Sequence, residues 1–271
     1  MSALTISDIF TQMGEAGARL DHLAACEAGA GNISVATREP LPLDSVFPEK
    51  TAGVSLPWSV PGLAGYTVFV TGSGVRLREI EINPLAAVSA FVIDEGGATG
   101  TWWTHPERQF TKPTSEFNSH LAVHESQVRD RQVPFQVLIH AQPPYLVALS
   151  HIKELRNTKD FNRAILRWEP ETIVQLPDGV AVLEFMVPGS NELQENNVAA
   201  LKDHRIVVWS KHGIMVRSDT GALDAVDKME YAEAGAMYEY RNRTMGNCGE
   251  GLTEDELRAV IADFGVQTSL Y

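Results

Sequence analysis

Cysteine is almost missing from this chain. Only Cys26 and Cys248 occur among 271 residues, and they form no Cys-x-x-Cys pair. That argues against a disulfide framework and against a thiolate zinc site, and it fits a reducing compartment. Positive charge is also scarce: 22 Lys and Arg stand against 35 Asp and Glu, for a formal net charge of -13. Neutralising a nucleic-acid backbone needs clustered basic side chains, so no nucleic-acid partner is expected. A small phosphorylated ligand stays open, because backbone N–H groups and hydroxyls can hold a phosphate with few cations. No apolar run approaches the roughly 20 residues of a membrane span. The opening stretch "MSALTISDIFTQMGEAG" carries acids where a leader would carry bases and then an apolar run. Repeats, linkers and low-complexity tracts are absent too. The expectation is a cytoplasmic protein with no membrane partner, whose 44% hydrophobic residues suffice for a sizeable core.

What is present alternates irregularly between helical and extended patterns. Ile9, Phe10, Met13, Leu20 and Ala24 recur at helical spacing, with Gly17 on the same stripe, Ser7 as N-cap and Gly29 as the stop. "NISVATRE" alternates as a strand. Pro40 to Pro61 reads as a long loop with too many turn residues to be core. "YTVFVTGSG" is a strand running into a glycine-flanked turn, and Gly96-Gly97 joins two further strands. A helix is expected from near Ser115, a strand over "FQVLIHA", and a helix with proline in its first turn after it. "DFNRAILRWEPE" reads as helical up to Pro170. "GVAVLEFMV" and "RIVVWSKHGIMVRS" are strands around the helix "NELQENNVAALKDH", and His212 falls on the second strand segment. A long helix follows, and the last helix opens with a Thr253…Glu256 capping box. Adjacent strands in the first half predict a single α/β domain over residues 1–271, with a mixed, largely antiparallel central sheet flanked by helices.

Several residues have chemistry to offer. His140 ends a strand, and Gln142, two residues on, shares its face. A lone histidine there is most simply a buried, hydrogen-bonded core residue. His212, followed by Gly213, could converge on it from another strand. Glu116 opens a helix, where a carboxylate compensates the helix dipole or serves as a metal ligand or general base. Two turns, Gly29 to Asn32 ("GAGN") and Thr71 to Gly74 ("TGSG"), offer free N–H groups, with Asn32, Thr71 and Ser73 as side-chain donors.

The order of these pieces is more specific than any of them alone. "GAGNISV", "VFVTGSG", "PTSE…H", "IHAQPPYLVAL", "LPDGVAVL…MVPGS" and "KHGIMV" follow one another along nearly the whole chain. That order resembles the class II aldolase/adducin family. The resemblance implies a single-domain α/β protein that assembles as a homotetramer, with a divalent metal, typically Zn2+, in each site and a small phosphorylated sugar as substrate. It implies Glu116 as the catalytic base and a metal contact, and His140 and His212 as metal ligands. Gly31, Asn32, Ser73, Gly74 and Ser115 would form the phosphate cradle, with Thr71 beside it. Glu171, or Glu169 two residues earlier, would be a second catalytic carboxylate for the aldehyde half. The family pattern at the strand end is His-x-His, and this chain has His140-Ala141-Gln142. An amide oxygen at Gln142 would favour a harder ion such as Mn2+ or Mg2+ over zinc. His151 taking that place is one alternative. Loss of the metal, giving a non-catalytic adducin-like binding protein, is another. Within enzymes, a sugar-phosphate epimerase using the same chemistry is the runner-up to an aldolase.

Overall fold

The protein is described by a computed structural model covering residues 4–271. In chain order the strands are β1 Asn32–Thr37, β2 Glu49–Ser55, β3 Thr67–Thr71, β4 Val88–Ile93, β5 Thr99–Thr104, β6 Phe135–Ala141, β7 Val180–Leu183, β8 Ile206–Trp209 and β9 Gly213–Ser218. The helices are α1 Ile6–His22, α2 Pro84–Ala87, α3 Phe117–Arg131, α4 Pro144–Ser150, α5 Thr158–Ile165, α6 Pro170–Gln175, α7 Asn191–Asp203, α8 Ala222–Thr244 and α9 Glu254–Asp263. All nine strands join one sheet in the order β2-β5-β4-β3-β1-β6-β9-β8-β7. Every pairing is antiparallel except β7 with β8. The mixed, largely antiparallel α/β sheet expected from the sequence is the one observed.

Period-two alternation divides the two faces of the sheet. Ile33 and Val35 of β1 and Val137, Ile139 and Ala141 of β6 enter one core with residues of α1, α4, α5 and α8. On the opposite face, Phe117 and Leu121 of α3 pack with Val68, Val70 and Phe91, and Leu193 and Leu201 of α7 pack with Leu138, Val207 and Trp209. The helices thus cover both faces. The even-numbered residues of β1 and β6 beneath α3 break the apolar pattern. Asn32, Ser34, Gln136 and His140 are all polar and all buried. Asn32 and His140 are direct cross-strand partners. A polar stripe under a helix is costly unless every group is hydrogen-bonded, so it marks the place where function overrides packing.

Several local expectations are corrected. The α1 cap is Thr5, not Ser7: the Thr5 side chain accepts from Asp8 N, and Asp8 reaches back in a reciprocal capping box. The helix stops at His22, not Gly29, and Ala24 and Ala28 then adopt positive φ. The segment from Pro40 to Pro61 contains β2, an edge strand paired with β5 and exposed along nearly all its length, while Leu43, Phe47 and Val60 are buried. An edge strand has one partner and little apolar burial, so its pattern is faint in sequence. Pro170 does not end a helix; it occupies the first turn of α6, where the missing N–H costs nothing. β7 also ends at Leu183, and the rest of "LEFMV" is irregular.

Gly17 has a packing reason to be glycine. A Cβ there would sit 2.2 Å from the Leu77 carbonyl oxygen, a backbone atom. Alanine is the better helix former by about 1 kcal/mol. Gly17→Ala is nonetheless expected to destabilise the fold by about 1–3 kcal/mol, the usual range for overpacking. A urea midpoint unchanged or raised by the substitution would refute that close approach.

Candidate active site

Three chain segments bring Glu116, His140 and His212 together. Glu116 stands at the N-cap of α3, only 4% exposed. His140 projects from β6 on the face beneath α3. His212 lies in the turn between β8 and β9, not on a strand as the sequence pattern had it. That turn is tight: Lys211 has φ +65°, and its N–H donates to Ser150 Oγ at 2.8 Å. Gly213 permits the approach, since a Cβ there would lie 2.5 Å from the Ala141 carbonyl oxygen and 2.8 Å from His140 Cε1. His140 Nε2 is 3.6 Å from Glu116 Oε2, and His212 Nε2 is 3.7 Å from Glu116 Oε1.

The three ligand atoms lie within 4.8 Å of one another. Ligands at about 2.1 Å from a tetrahedral ion stand roughly 3.4 Å apart, so the spacing suits one small divalent cation. The orientation of His140 supports the same fit. Its Nδ1–H donates to the Ile214 carbonyl at 2.8 Å, which leaves the Nε2 lone pair facing Glu116. The ring also stacks on Trp209 with centroids 4.8 Å apart, and Trp209 is held by Asn197. Burial pushes His212 down to about 4, helped by His140 and opposed by the Glu116 carboxylate. It is therefore a neutral imidazole near pH 7, the form that binds metals. Glu116, His140 and His212 thus fit a divalent metal.

Above this cluster lies a cleft of about 270 Å³, lined among others by Gly29, Gly31, Asn32, Ser73, Gly74, Ser115, Gln142 and Pro188. The two glycine turns touch: a Cβ on Gly29 would sit 2.9 Å from the Gly74 carbonyl oxygen. Gly31 and Gly74 both have φ +80°. Not all the backbone donors of these turns are free. Ala30, Gly72 and Ser73 donate to Glu27, Ala87 and Lys112. Thr71 is not in the cleft at all. It is fully buried, and its hydroxyl bridges β3 to β1 by accepting from Ile33 N at 3.1 Å.

Gln142 lines the cleft, with its Cγ close to Gly213. In the amide orientation that satisfies both of its polar atoms, its nitrogen donates to both carboxylate oxygens of Glu27, at 2.8 and 2.9 Å. The carboxamide oxygen is then what this residue can offer an ion. His151 is exposed beyond the end of α4 and does not join the cluster. Glu171 is exposed on the first turn of α6, and Glu169 lines a separate acidic groove beside α8. Neither carboxylate lies in this cleft, because α6 packs on α8 and α9 on the other side of the sheet.

The structure adds residues the sequence reading did not single out. Asn32 Nδ2 donates to Glu116 Oε2 at 3.0 Å, and Asn32 Oδ1 contacts His120 Nε2. His120 and His124 follow Glu116 at intervals of four, so one face of α3 presents all three to the polar stripe of β1 and β6. That spacing, set against even-numbered polar residues on two buried strands, was the available signal.

Comparison with known proteins agrees with the geometry. The profile of the class II aldolase and adducin N-terminal domain matches residues 11–240. A rhamnulose-1-phosphate aldolase from Salmonella heidelberg (strain SL476) is 30% identical over 246 residues, covering 89% of this chain and 87% of its own. Among solved structures, a sugar-phosphate aldolase from Thermotoga maritima superposes with a TM-score of 0.75 at 24% identity, over 89% of this chain and 97% of the other. An L-fuculose-1-phosphate aldolase from Thermus thermophilus gives 0.57 at 21% identity, over 90% and 98%. With fold, site geometry and profile in accord, the chain belongs to the class II aldolase and adducin N-terminal domain family.

Proposed function

We propose that this protein is a divalent-metal-dependent aldolase that cleaves a ketose 1-phosphate of the rhamnulose 1-phosphate type into dihydroxyacetone phosphate and a short aldehyde. The observation that carries the reading is the meeting of Glu116, His140 and His212 beneath two touching glycine turns. A cation held by Glu116, His140 and His212, with the Gln142 oxygen as a fourth donor, would act as a Lewis acid towards charge developing on the substrate's carbonyl and hydroxyl oxygens. Zinc suits the two imidazoles, and an amide oxygen in the set admits Mn2+ or Mg2+.

The remaining roles belong to the chain itself. Ser73, Ser115 and the N–H groups of Gly31 and Gly74 would hold the phosphate, away from the bond that breaks. Such remote anchoring supplies orientation and binding energy. Glu116 would take the carbon-bound proton of dihydroxyacetone phosphate in the condensation direction and return it in cleavage. Asn32 holds one of its oxygens, which leaves the other to face the cleft. In cleavage the hydroxyl proton of the aldehyde half must leave as the carbon–carbon bond breaks. Glu171 is proposed for that proton. It stands outside its own chain's cleft, so it would serve the site of a second copy, and the working form would be a homo-oligomer, a tetramer on the family resemblance.

The test is formation of dihydroxyacetone phosphate from rhamnulose 1-phosphate and fuculose 1-phosphate, followed by NADH-coupled reduction. Chelation should abolish product, and added Zn2+ or Mn2+ should restore it. Ser73→Ala should raise KM about tenfold or more with a smaller change in kcat, as for loss of a hydrogen bond to a charged group. No triose phosphate from either ketose with metal restored would overturn the aldolase reading. An intact sugar phosphate with one inverted carbon would replace it with an epimerase.

A further inference from the structure

Behind Glu116 runs a line of buried polar groups that the proposed chemistry does not itself require. Asn32 Nδ2 meets Glu116 Oε2 at 3.0 Å, and Asn32 Oδ1 meets His120 Nε2. His120 Nδ1 is 2.6 Å from Ser34 Oγ, Ser34 Oγ is 2.8 Å from His124 Nε2, and His124 Nδ1 is 2.8 Å from Gln136 Oε1. Both histidines and Ser34 are fully buried, and Gln136 is 1% exposed. Nothing in this line touches the cleft except Asn32.

Hydrogen-bond chemistry gives the line a direction. An ionised carboxylate only accepts, so Asn32 must turn its N–H towards Glu116 and its oxygen towards His120. An amide oxygen also only accepts, so His120 must carry its proton on Nε2. Burial pushes His120 well below its ordinary range, and the neighbouring His124 and His140 push the same way. Burial holds His124 down to about 3. Both rings are neutral, and each has one N–H and one lone pair. His120 Nδ1 therefore accepts, and Ser34 must donate its hydroxyl proton to it. Ser34 then accepts from His124 Nε2–H. His124 Nδ1 is left as an acceptor, which calls for the Gln136 amide nitrogen and not its oxygen. The structure places Oε1 on that side, an orientation in which the nitrogen has no partner among the described residues, and the donor chain requires the amide turned over. With both rings neutral and the Gln136 amide turned over, one choice of tautomers satisfies every contact in the line, and all five bonds then point towards Glu116.

We propose that His120 and His124 are positioning residues: as neutral Nε2–H tautomers they form, with Gln136 and Ser34, a one-way donor chain that locks the Asn32 amide with its N–H towards Glu116. The chain fixes that carboxylate in rotation. Reversing it would turn the Asn32 oxygen towards Glu116, where only a protonated carboxyl could meet it. This rests on the reading of Glu116 as the base, but the hydrogen-bond direction can be measured without any turnover.

The experiment is long-range proton–nitrogen NMR of the purified protein labelled with 15N in its histidine rings, with Zn2+ added, and assigned through His120→Gln and His124→Gln. The Nε2–H tautomer is expected at both positions, with neither ring an imidazolium at neutral pH. An Nδ1–H tautomer or an imidazolium at His120 overturns the proposal, whatever the enzyme's activity. The kinetic arm compares two amides. Gln places a donor near the Nε2 position, and Asn places one near Nδ1. His120→Asn should lower kcat about tenfold to a hundredfold, as for loss of a hydrogen bond to a charged partner. His120→Gln should restore most of that loss at similar thermal stability. Equal kcat in the two variants assigns His120 a packing role and overturns the chain. Where His120→Asn does not fold, the tautomer of the unsubstituted protein decides. If no ketose 1-phosphate is cleaved while both rings are Nε2–H, the aldolase reading fails and the donor chain stands.

Discussion

Replacing Glu116 with Gln should reduce aldol cleavage about a hundredfold or more, the scale of losing a positioned general base. The protein should still fold and still take up metal. The residue is 4% exposed and packed at the head of α3, so an isosteric replacement is the one that isolates charge from shape. Gln can still accept from Asn32 Nδ2 through its oxygen, the contact that Glu116 Oε2 makes now. What it lacks is a basic atom for the carbon-bound proton. His140 and His212 remain to bind an ion, so the loss should appear in kcat at saturating metal and substrate. A two- or threefold effect would mean that the proton goes elsewhere. The nearby titratable groups are the two imidazoles, and Glu116 would then be a ligand and N-cap residue only.

The sheet was legible because its central strands are short apolar, β-branched runs buried on both faces. Val68, Val70, Val137 and Ile139 sit where alternation and β-branching place them. β2 was not legible, because an edge strand exposed along nearly all its length needs little apolar sequence. The site was partly legible. Motif order pointed to Glu116, His140, His212, Asn32 and Ser73, and all five line one cleft. Thr71 looked equivalent to Ser73 because both flank a glycine, but the strand extends through Thr71 and turns its hydroxyl into the sheet. His120 and His124 went unread for another reason. Their partners, Ser34 and Gln136, lie 86 and 12 residues away along the chain and meet them only through the β1–β6 pairing. A helix face with period four and a strand face with period two each look ordinary alone. They become a polar network only once the sheet order is known.

The amide at Gln142 sets the second large effect, and a competitive zinc titration across three variants reads it. His140→Ala should weaken zinc by more than the roughly 10- to 100-fold that loss of a partner behind a ligand costs. Its ring is pre-aimed: Nδ1 is tied to Ile214, one face lies on Trp209, and Nε2 stands 3.6 Å from Glu116. Removing it takes away an imidazole and leaves the Glu116 carboxylate with one fewer metal-binding partner beside it. Gln142→Leu should cost much less, since an amide oxygen is a weak zinc donor and three ligands remain. Gln142→His should tighten zinc. Gln142 and His140 alternate onto one face at the end of β6, and their side chains both reach the space beside Gly213. An imidazole at position 142 would offer one nitrogen to the ion, and its other N–H would find Glu27, which already accepts from the amide. Carboxylate behind imidazole raises ligand basicity and fixes the tautomer, so Glu27 would strengthen the new ligand. Glu27→Gln in the Gln142→His background should then give back part of the gain. Unchanged zinc affinity in Gln142→His, with His140→Ala still impaired, would show that position 142 faces Glu27 alone and that the fourth donor comes from solvent or substrate. A parent protein that binds no divalent ion would remove the metal from the site altogether, and the aldolase reading would fall with it.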